Sequence, residues 1–267
     1  MDSLKKGDII VLAFDIERSG GRTCDDTIAI GASVVGPDLT ELDSLFLPGY
    51  FGKDQTHWEE ACWEEFWSEH LVTLTLLVYN GDLTKAERQR EMIKRFQLFR
   101  SKWERIAQDK GCKLELVSDN NVFDGGFINQ MINEHYPDAL PIPYTSNVGI
   151  HGNKSQNYKR FWETHSEQRG LLMAIDPEYK KGGGYARRIE ELYQIPPSSR
   201  LHDHDPSNDA YTIAREQQIL LGIRDGRFSR GGLPISITIR CSRITFSVSC
   251  GLAVGLLCGG IAYFVTE

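Results

Sequence analysis

Residues 8–17 read DIIVLAFDIE, and this stretch decides the fold. A nearly continuous apolar run of this length is typical of a central strand that is buried on both faces. Residues 27–36, TIAIGASVVG, form a second run rich in β-branched side chains, and residues 42–47 favour a third strand that ends before Pro48. Because the three runs follow one another closely, they predict an antiparallel meander.

A helical pattern begins after this meander. Thr84 and Glu87 resemble a capping box, and Gly111 can end the helix. Between them, large apolar side chains recur near helical spacing at Met92, Phe96, Phe99, Trp103 and Ile106. Residues 113–118, KLELVS, predict a fourth strand. The helix predicted to follow it would bury Phe127, Ile128, Met131 and Ile132. This order predicts an α/β fold with one mixed sheet flanked by helices.

The composition is that of a globular chain. The 267 residues are 40% hydrophobic, which is enough for a sizeable core. The net charge of -7 argues against a protein that coats nucleic acid through charge alone, so a nucleic-acid site would use local basic patches. The six cysteines include no CxxC pair, which favours free thiols in a reducing compartment. The polar first eight residues predict no secretory signal peptide.

The first of three segments with candidate chemistry contains Asp15 and Glu17. The two acids stand two residues apart on the predicted central strand, so both side chains project from the same face. They could therefore share a metal ion. The alternative is a pair of acids at a strand end that only faces water.

The second segment follows the fourth predicted strand. It places Asp124 at the start of a helix, at the end of the sheet. The alternative is an ordinary helix cap, a position that aspartate often takes. Asp119 is a competing candidate, but it lies in the turn before the helix.

The third segment is dense in acids and histidines. Asp205 is a suitable N-cap and Pro206 a suitable first residue for a helix, which would put Asp209 in its first turn. His204 lies just ahead of this helix and could reach the same centre as Asp209. The alternatives are a solvated turn and a separate metal site formed by His202 and His204.

Two-metal hydrolysis of a phosphodiester would use all three segments. It needs several hard oxygen ligands around two ions that are about 3.5 to 4 Å apart. Four acids on different elements can supply them. An imidazole, with an ordinary pKa near 6.5, can take a proton from the attacking water. We expect His204 to be that base.

The ordered set of motifs resembles the DEDD exonuclease family in its histidine-bearing branch, which includes proofreading exonuclease subunits and DNA- and RNA-trimming enzymes. The motifs are Asp15-x-Glu17, Asn120-x-x-Phe123-Asp124-x-x-Phe127 and His204-x-x-x-x-Asp209-Ala210. They span most of the chain, and together they are far more specific than any one alone. One position departs from the pattern: Asp119 stands where family members commonly have histidine.

The resemblance implies an RNase H-like fold with a five-stranded mixed sheet. It implies that Asp15, Glu17, Asp124 and Asp209 bind two divalent ions, Mg²⁺ or Mn²⁺, and that His204 is the general base. The implied activity is that of a 3′-to-5′ exonuclease. It would act on single-stranded DNA or RNA 3′ ends and release nucleoside 5′-monophosphates.

A narrower resemblance, to exonuclease-like proteins of large DNA viruses, lies in residues 63–67, 163–170 and 174–177.

Other side chains are candidates for substrate contacts, either at the second motif or as basic residues that steer phosphates. They are Asn120, Phe123, Lys154, Arg160 and Arg169. The alternative for the basic residues is solvated surface. Trp58, Trp63 and Trp67 with Phe66 could stack on unpaired bases, or they could belong to the core.

The C-terminal residues carry a separate signal. Residues 244–265 have no charge and are long enough to cross a bilayer, which favours a membrane anchor. The predicted organisation is an exonuclease domain at 1–230, a linker at 231–243 and this tail. Arg240 and Arg243 would keep the domain cytosolic. The alternative is a pair of buried strands or an aggregation-prone end.

Two other functions fit the same fold. One is a catalytically silent nucleic-acid-binding or membrane-tethered scaffold, and the other is an endonuclease. A silent domain has no chemical need for four acids together with His204. The complete set therefore favours activity over a silent domain, and the histidine motif favours an exonuclease over an endonuclease.

Overall fold

The computed structural model describes residues 4–52, 56–139, 141–142, 161–176, 179, 184–200, 203–230, 236–241 and 244–249. For residues 161–163, 236–241 and 244–249 it describes the backbone alone. The chain divides into two compact units. The first comprises Met1–Glu167 and Ser198–Gln218, and the second comprises Gln168–Pro197 and Ile219–Glu267. The predicted domain boundaries near residues 230 and 243 stay predictions.

A mixed sheet forms the centre of the first unit. Its strands are β1 (Ile9–Arg18), β2 (Thr27–Val35), β3 (Glu41–Pro48), β4 (Lys113–Ser118) and the short β5 (Phe161–Glu163). Strands β1 to β3 pair antiparallel in sequence order, which confirms the predicted meander. Strand β4 runs parallel to β1, and β5 runs parallel to β4, so the order across the sheet is β3-β2-β1-β4-β5. The predicted α/β class with a mixed sheet is confirmed.

In the described part of the chain, seven α-helices connect or follow these strands. They are α1 (Glu60–Glu65), α2 (Leu71–Leu76), α3 (Lys85–Lys110), α4 (Asn121–His135), α5 (Thr164–Ile175), α6 (Tyr185–Tyr193) and α7 (Pro206–Arg224). A 3₁₀ turn at Trp67–Glu69 lies between α1 and α2. The predicted helices correspond to α3, α4 and α7. The sequence did not predict α1, α2 or the turn between them.

Helix α3 begins and ends at the caps that the sequence predicts. The Thr84 hydroxyl accepts a hydrogen bond from the backbone N–H of Glu87, and the Glu87 carboxylate accepts one from the backbone N–H of Thr84. Gly111 ends the helix with φ of 66°, in the left-handed region where glycine has no steric penalty. The inner face of α3 packs on the sheet and, with α4, closes the main core.

Strand β1 is apolar except near its carboxyl end. The strand is buried along nearly its whole length, as its apolar sequence requires. Asp15 and Glu17 are the acids of this buried strand, and they lie near its carboxyl end. Because β4 runs parallel to β1, the turn that follows β4 lies at the same end of the sheet as the two acids. Helix α4 begins in that turn.

Helix α7 is fixed across the meander by Gln218. Its side-chain amide donates to the carbonyl oxygen of Ile9 at 2.7 Å and to that of Val35 at 3.0 Å. These two residues are close to the start of β1 and the end of β2. The contact directs the first turn of α7 towards the acidic end of β1.

The predicted tail at residues 244–265 begins in strand β7 (Ile244–Ser249), which pairs antiparallel with β6 (Ser236–Cys241). Residues 250–265 lie outside the described residues. Within the described part of the chain, no helix has both the length and the hydropathy that a membrane span requires. Membrane attachment stays a prediction.

Candidate metal centre

Strand β1 brings the first two acids to the site. Asp15 and Glu17 are each 8% exposed, and each lies on β1 opposite a small residue of β2, Gly31 for Asp15 and Ala29 for Glu17. No bulky side chain of β2 therefore lies beside these two carboxylates. The strand places both side chains on one face, as their spacing predicts.

The third acid, Asp124, lies in the first turn of α4. The Asn120 side chain caps this helix by accepting a hydrogen bond from the backbone N–H of Phe123 at 3.2 Å. Asp124 therefore does not take the capping role that was its alternative interpretation. Its side chain is only 2% exposed and points into the protein. The side-chain oxygen of Asn120 is engaged in this cap, and its predicted contact with substrate stays a prediction.

The fourth acid, Asp209, orders the loop before its own helix. Its carboxylate accepts hydrogen bonds from the backbone N–H groups of Asp203 at 3.1 Å and His204 at 3.2 Å. Asp205 caps α7 as predicted, since its carboxylate accepts from the backbone N–H of Ser207 at 2.9 Å. These bonds hold His204 at φ of 62°, a left-handed conformation that few residues other than glycine adopt.

The carboxylates and His204 form two groups of three residues. Within each group, one ligand atom from each residue lies within 4.8 Å of the other two. The groups are Glu17, His204 and Asp209, and Asp15, Asp119 and Asp124. The structure thus brings the five predicted residues to one end of the sheet. It adds Asp119, which the sequence left as a competitor of Asp124.

Burial and mutual repulsion make this cluster costly when it is charged. Burial raises the pKa of Asp15, Glu17 and Asp124 well above their ordinary values, and the neighbouring carboxylates raise these values further. Burial also raises the pKa of Asp209 to about 7. The Asp119 carboxylate contributes to the shift at all four positions. A divalent cation would neutralise the repulsion that causes these shifts.

Two oxygens of the cluster fit the role of metal ligands. Oδ2 of Asp15 and Oδ2 of Asp124 are fully buried and have no hydrogen-bond partner among the described residues. A buried acceptor without a partner costs free energy, and cost of this kind is typical of atoms that bind an ion. Carboxylate oxygens are the ligands that Mg²⁺ and Mn²⁺ prefer. The donor set therefore fits a hard divalent cation.

His204 lies between Glu17 and an aromatic wall. Its Nδ1 is 3.9 Å from Oε1 of Glu17. Its ring stands edge-on to Phe66, at 4.6 Å between centroids, and to His70 at 5.0 Å. The ring of His70 stacks on Phe66 at 4.3 Å, and its Nδ1 is 2.8 Å from the Phe66 carbonyl oxygen. The Thr73 hydroxyl donates to the carbonyl oxygen of Asp203 at 3.3 Å, which attaches the His204 loop to α2.

Sequence patterns indicate no role for His70, and for Phe66 they indicate only base stacking or a place in the core. A signal was present, because residues 66 and 70 have the i, i+4 spacing of side chains that meet on one helical face. Nothing in the sequence shows that this pair faces a loop more than 130 residues away.

A groove of about 200 Å³ opens beside Glu17. Its walls include Phe66, Trp67 and Phe123, and the backbone of Gly20 and Gly21 contributes to its rim. Phe123 is thus placed where a substrate contact is predicted. Trp67 is 1% exposed and belongs to the core.

The remaining predicted substrate contacts are basic residues. Lys154 and Arg160 fall outside the described residues, as does His202. Arg169 has an exposed side chain on α5. Trp58 and Trp63 pack against the core cluster that contains Trp67, which supports the core interpretation for them.

The sequence matches no protein-family model and no curated protein.

Proposed function

We propose that this chain is a metal-dependent 3′-to-5′ exonuclease with an RNase H-like fold. The observation that carries the proposal is the convergence of four buried carboxylates from β1, α4 and α7 beside His204. The mixed sheet, with its antiparallel meander and a parallel strand beside β1, supports the fold.

Asp15, Glu17, Asp124 and Asp209 would hold two divalent ions, Mg²⁺ or Mn²⁺. Such ions, when bound, activate water and stabilise the charge that develops on the phosphate oxygens. The carboxylates are buried on rigid elements, so they lose little side-chain entropy when they bind. The unpartnered Oδ2 atoms of Asp15 and Asp124 support this ligand role.

His204 would accept the proton of the attacking water. A general base has to lie close to the nucleophile without competing with the substrate for space. The edge-on contacts with Phe66 and His70 limit rotation of the ring. The backbone N–H groups of Asp203 and His204 donate to the Asp209 carboxylate, which fixes the backbone of this loop. These contacts support a pre-oriented base.

The groove beside Glu17 supports action at a chain end. Its volume of about 200 Å³ is below the roughly 300 to 1,000 Å³ of typical ligand pockets, so it could hold part of one nucleotide and excludes a continuous duplex. Phe123 offers an aromatic surface on which any base can stack. Contacts of this kind tolerate all four bases and both sugars, so the proposed substrates are single-stranded DNA or RNA ends.

The test is incubation of the full chain with 3′-labelled and 5′-labelled single-stranded DNA and RNA in Mg²⁺ or Mn²⁺. We expect release of nucleoside 5′-monophosphates from the 3′ end. Asp15→Asn and His204→Ala should abolish release, and Asp138→Asn, which changes an exposed acid, should not. Cleavage that is equal in all variants would refute the proposal. Binding of the oligonucleotides without any cleavage would favour the silent scaffold.

A further inference from the structure

Asp119 occupies a position that the sequence motifs do not assign to metal binding. It is the first residue after β4, in the bend that leads to the N-cap of α4. One of its carboxylate oxygens lies within 4.8 Å of ligand atoms of both Asp15 and Asp124. Strand β4 and the Asn120 cap fix this bend at both ends, so the proximity follows from the fold.

No basic side chain in the described part of the chain balances the charge of these three carboxylates. Within the described residues, no Lys or Arg forms an ion pair with Asp15, Asp119 or Asp124. Three acids this close repel one another unless they are protonated or share a cation. A structural role for Asp119 as a surface acid does not account for this placement.

A second observation points to a ligand. Oδ2 of Asp15 and Oδ2 of Asp124 are buried and lack hydrogen-bond partners among the described residues, and both side chains are more than nine-tenths buried. Asp119 is half buried, so it is the most exposed member of this group. Two oxygens from within the protein and one from its edge could surround a single ion.

We propose that Asp119 is a metal ligand that, with Asp15 and Asp124, holds one divalent cation. The inference builds on the proposed function, which assigns the neighbouring acids to metal binding. It departs from the resemblance, which implies a histidine at this position. Glu17 and Asp209 would provide carboxylates for the other ion, next to His204. The centre would then have five carboxylates, and Asp119 would belong to only one of its two ion positions.

The experiment is titration of the metal-free full chain with Mn²⁺ alone, by calorimetry and by paramagnetic resonance, without nucleic acid. Asp119→Asn keeps the side-chain shape and removes the charge, and Asp119→Ser serves as a second variant. We expect both to lower affinity at one of two ion positions by about 10-fold or more, since even outer partners of a metal site contribute 10- to 100-fold. Asp138→Asn is the matched surface control.

Thermal unfolding in EDTA separates ligand loss from misfolding. Removal of one charge from a repelling group should leave the metal-free Asp119→Asn protein at least as stable as the wild type. Unchanged Mn²⁺ affinity in both variants would overturn the inference and leave the exonuclease proposal intact. If the variants lose Mn²⁺ affinity but the wild-type protein cleaves no oligonucleotide, the proposed function is overturned and the metal-ligand role of Asp119 stands. A wild type that binds no Mn²⁺ would overturn both.

Discussion

The backbone of Pro206 lies directly against Gly31. A Cβ atom added to Gly31 would lie 2.0 Å from both the carbonyl carbon and the carbonyl oxygen of Pro206, and 2.3 Å from the backbone nitrogen of Ser207. Because Gly31 pairs with Asp15 across the sheet, the missing side chain allows the first turn of α7 to lie over the acids of β1. That turn carries Asp209.

Gly31→Ala should therefore displace α7 from the sheet. We expect a loss of roughly 1 to 3 kcal/mol in the free energy of unfolding, the usual cost of overpacking a buried contact. Mn²⁺ should stabilise the variant less than the wild type, because Asp209 would move away from Glu17. Urea unfolding with and without Mn²⁺ measures both effects.

Gly170→Ala is the control for that substitution. Gly170 lies within α5, and a Cβ atom there would meet no atom within 4 Å. Alanine should raise stability by roughly 0.5 to 1 kcal/mol, because glycine weakens a helix interior. If Gly31→Ala behaved like Gly170→Ala, close packing would not be what positions Asp209.

Local signals predicted the parts of this fold that depend on neighbouring residues. The Thr84 and Glu87 pair predicted the start of α3, and Asp205 with Pro206 predicted the start of α7. The spacing of Asp15 and Glu17 predicted their shared face of β1. Strand alternation and helix capping involve residues at most a few positions apart, so a single sequence records them.

Long-range contacts were not predictable in this way. Gly31 is one residue of a β-rich run, and its role exists only once α7 is placed against it. The position of Asp119 in a turn gives no local sign of a ligand role. That turn nevertheless brings its carboxylate close to Asp15 on β1. Phe66 and His70 meet His204 through a packing of separate segments that no local pattern encodes.

The capping box of α3 offers a direct test of the local signals. Thr84→Ala removes the acceptor for the Glu87 backbone N–H and should cost about 1 kcal/mol of unfolding free energy. Thr84→Ser retains the hydroxyl and should unfold close to the wild type. Denaturant unfolding of the three proteins distinguishes them. Equal stability of the alanine variant and the wild type would mean that the cap contributes nothing.

Phe66 should affect catalysis through His204. Phe66→Ala removes the ring that His204 contacts edge-on at 4.6 Å, so the imidazole would lose its fixed orientation. We expect kcat for the oligonucleotide to fall by about 10- to 100-fold, the scale of a misplaced catalytic group. The stabilisation by Mn²⁺ should persist, since Phe66 supplies no ligand.

Phe66→Tyr keeps the ring and is the matched variant for this test. It should retain most of the kcat of the wild type. The groove beside Glu17 also includes Phe66, so a direct contact with substrate is the competing explanation. A raised KM with unchanged kcat in Phe66→Ala would support that explanation and exclude the positioning role.

The buried acids predict how the stability of the metal-free protein depends on pH. At low pH, the cluster is protonated in both the folded and the unfolded chain. As the pH rises above the ordinary values of 3.8 for Asp and 4.5 for Glu, the unfolded chain loses protons that the folded chain retains. The free energy of unfolding attributable to the cluster should therefore fall with rising pH. For Asp209 the fall should continue until the pH passes its raised pKa of about 7.

Asp209→Asn removes this titration and keeps the side-chain shape. Asparagine can accept only one of the two backbone hydrogen bonds, and that loss does not change with pH. In EDTA, the advantage in stability of Asp209→Asn over the wild type should grow between pH 5 and pH 8. Saturating Mn²⁺ should reverse the order at pH 8, because the ionised carboxylate binds the cation and asparagine binds it weakly. Urea unfolding at several pH values, with EDTA or Mn²⁺, measures the difference. A difference in EDTA that stayed constant across this range would show that Asp209 is ionised in the folded protein already at pH 5.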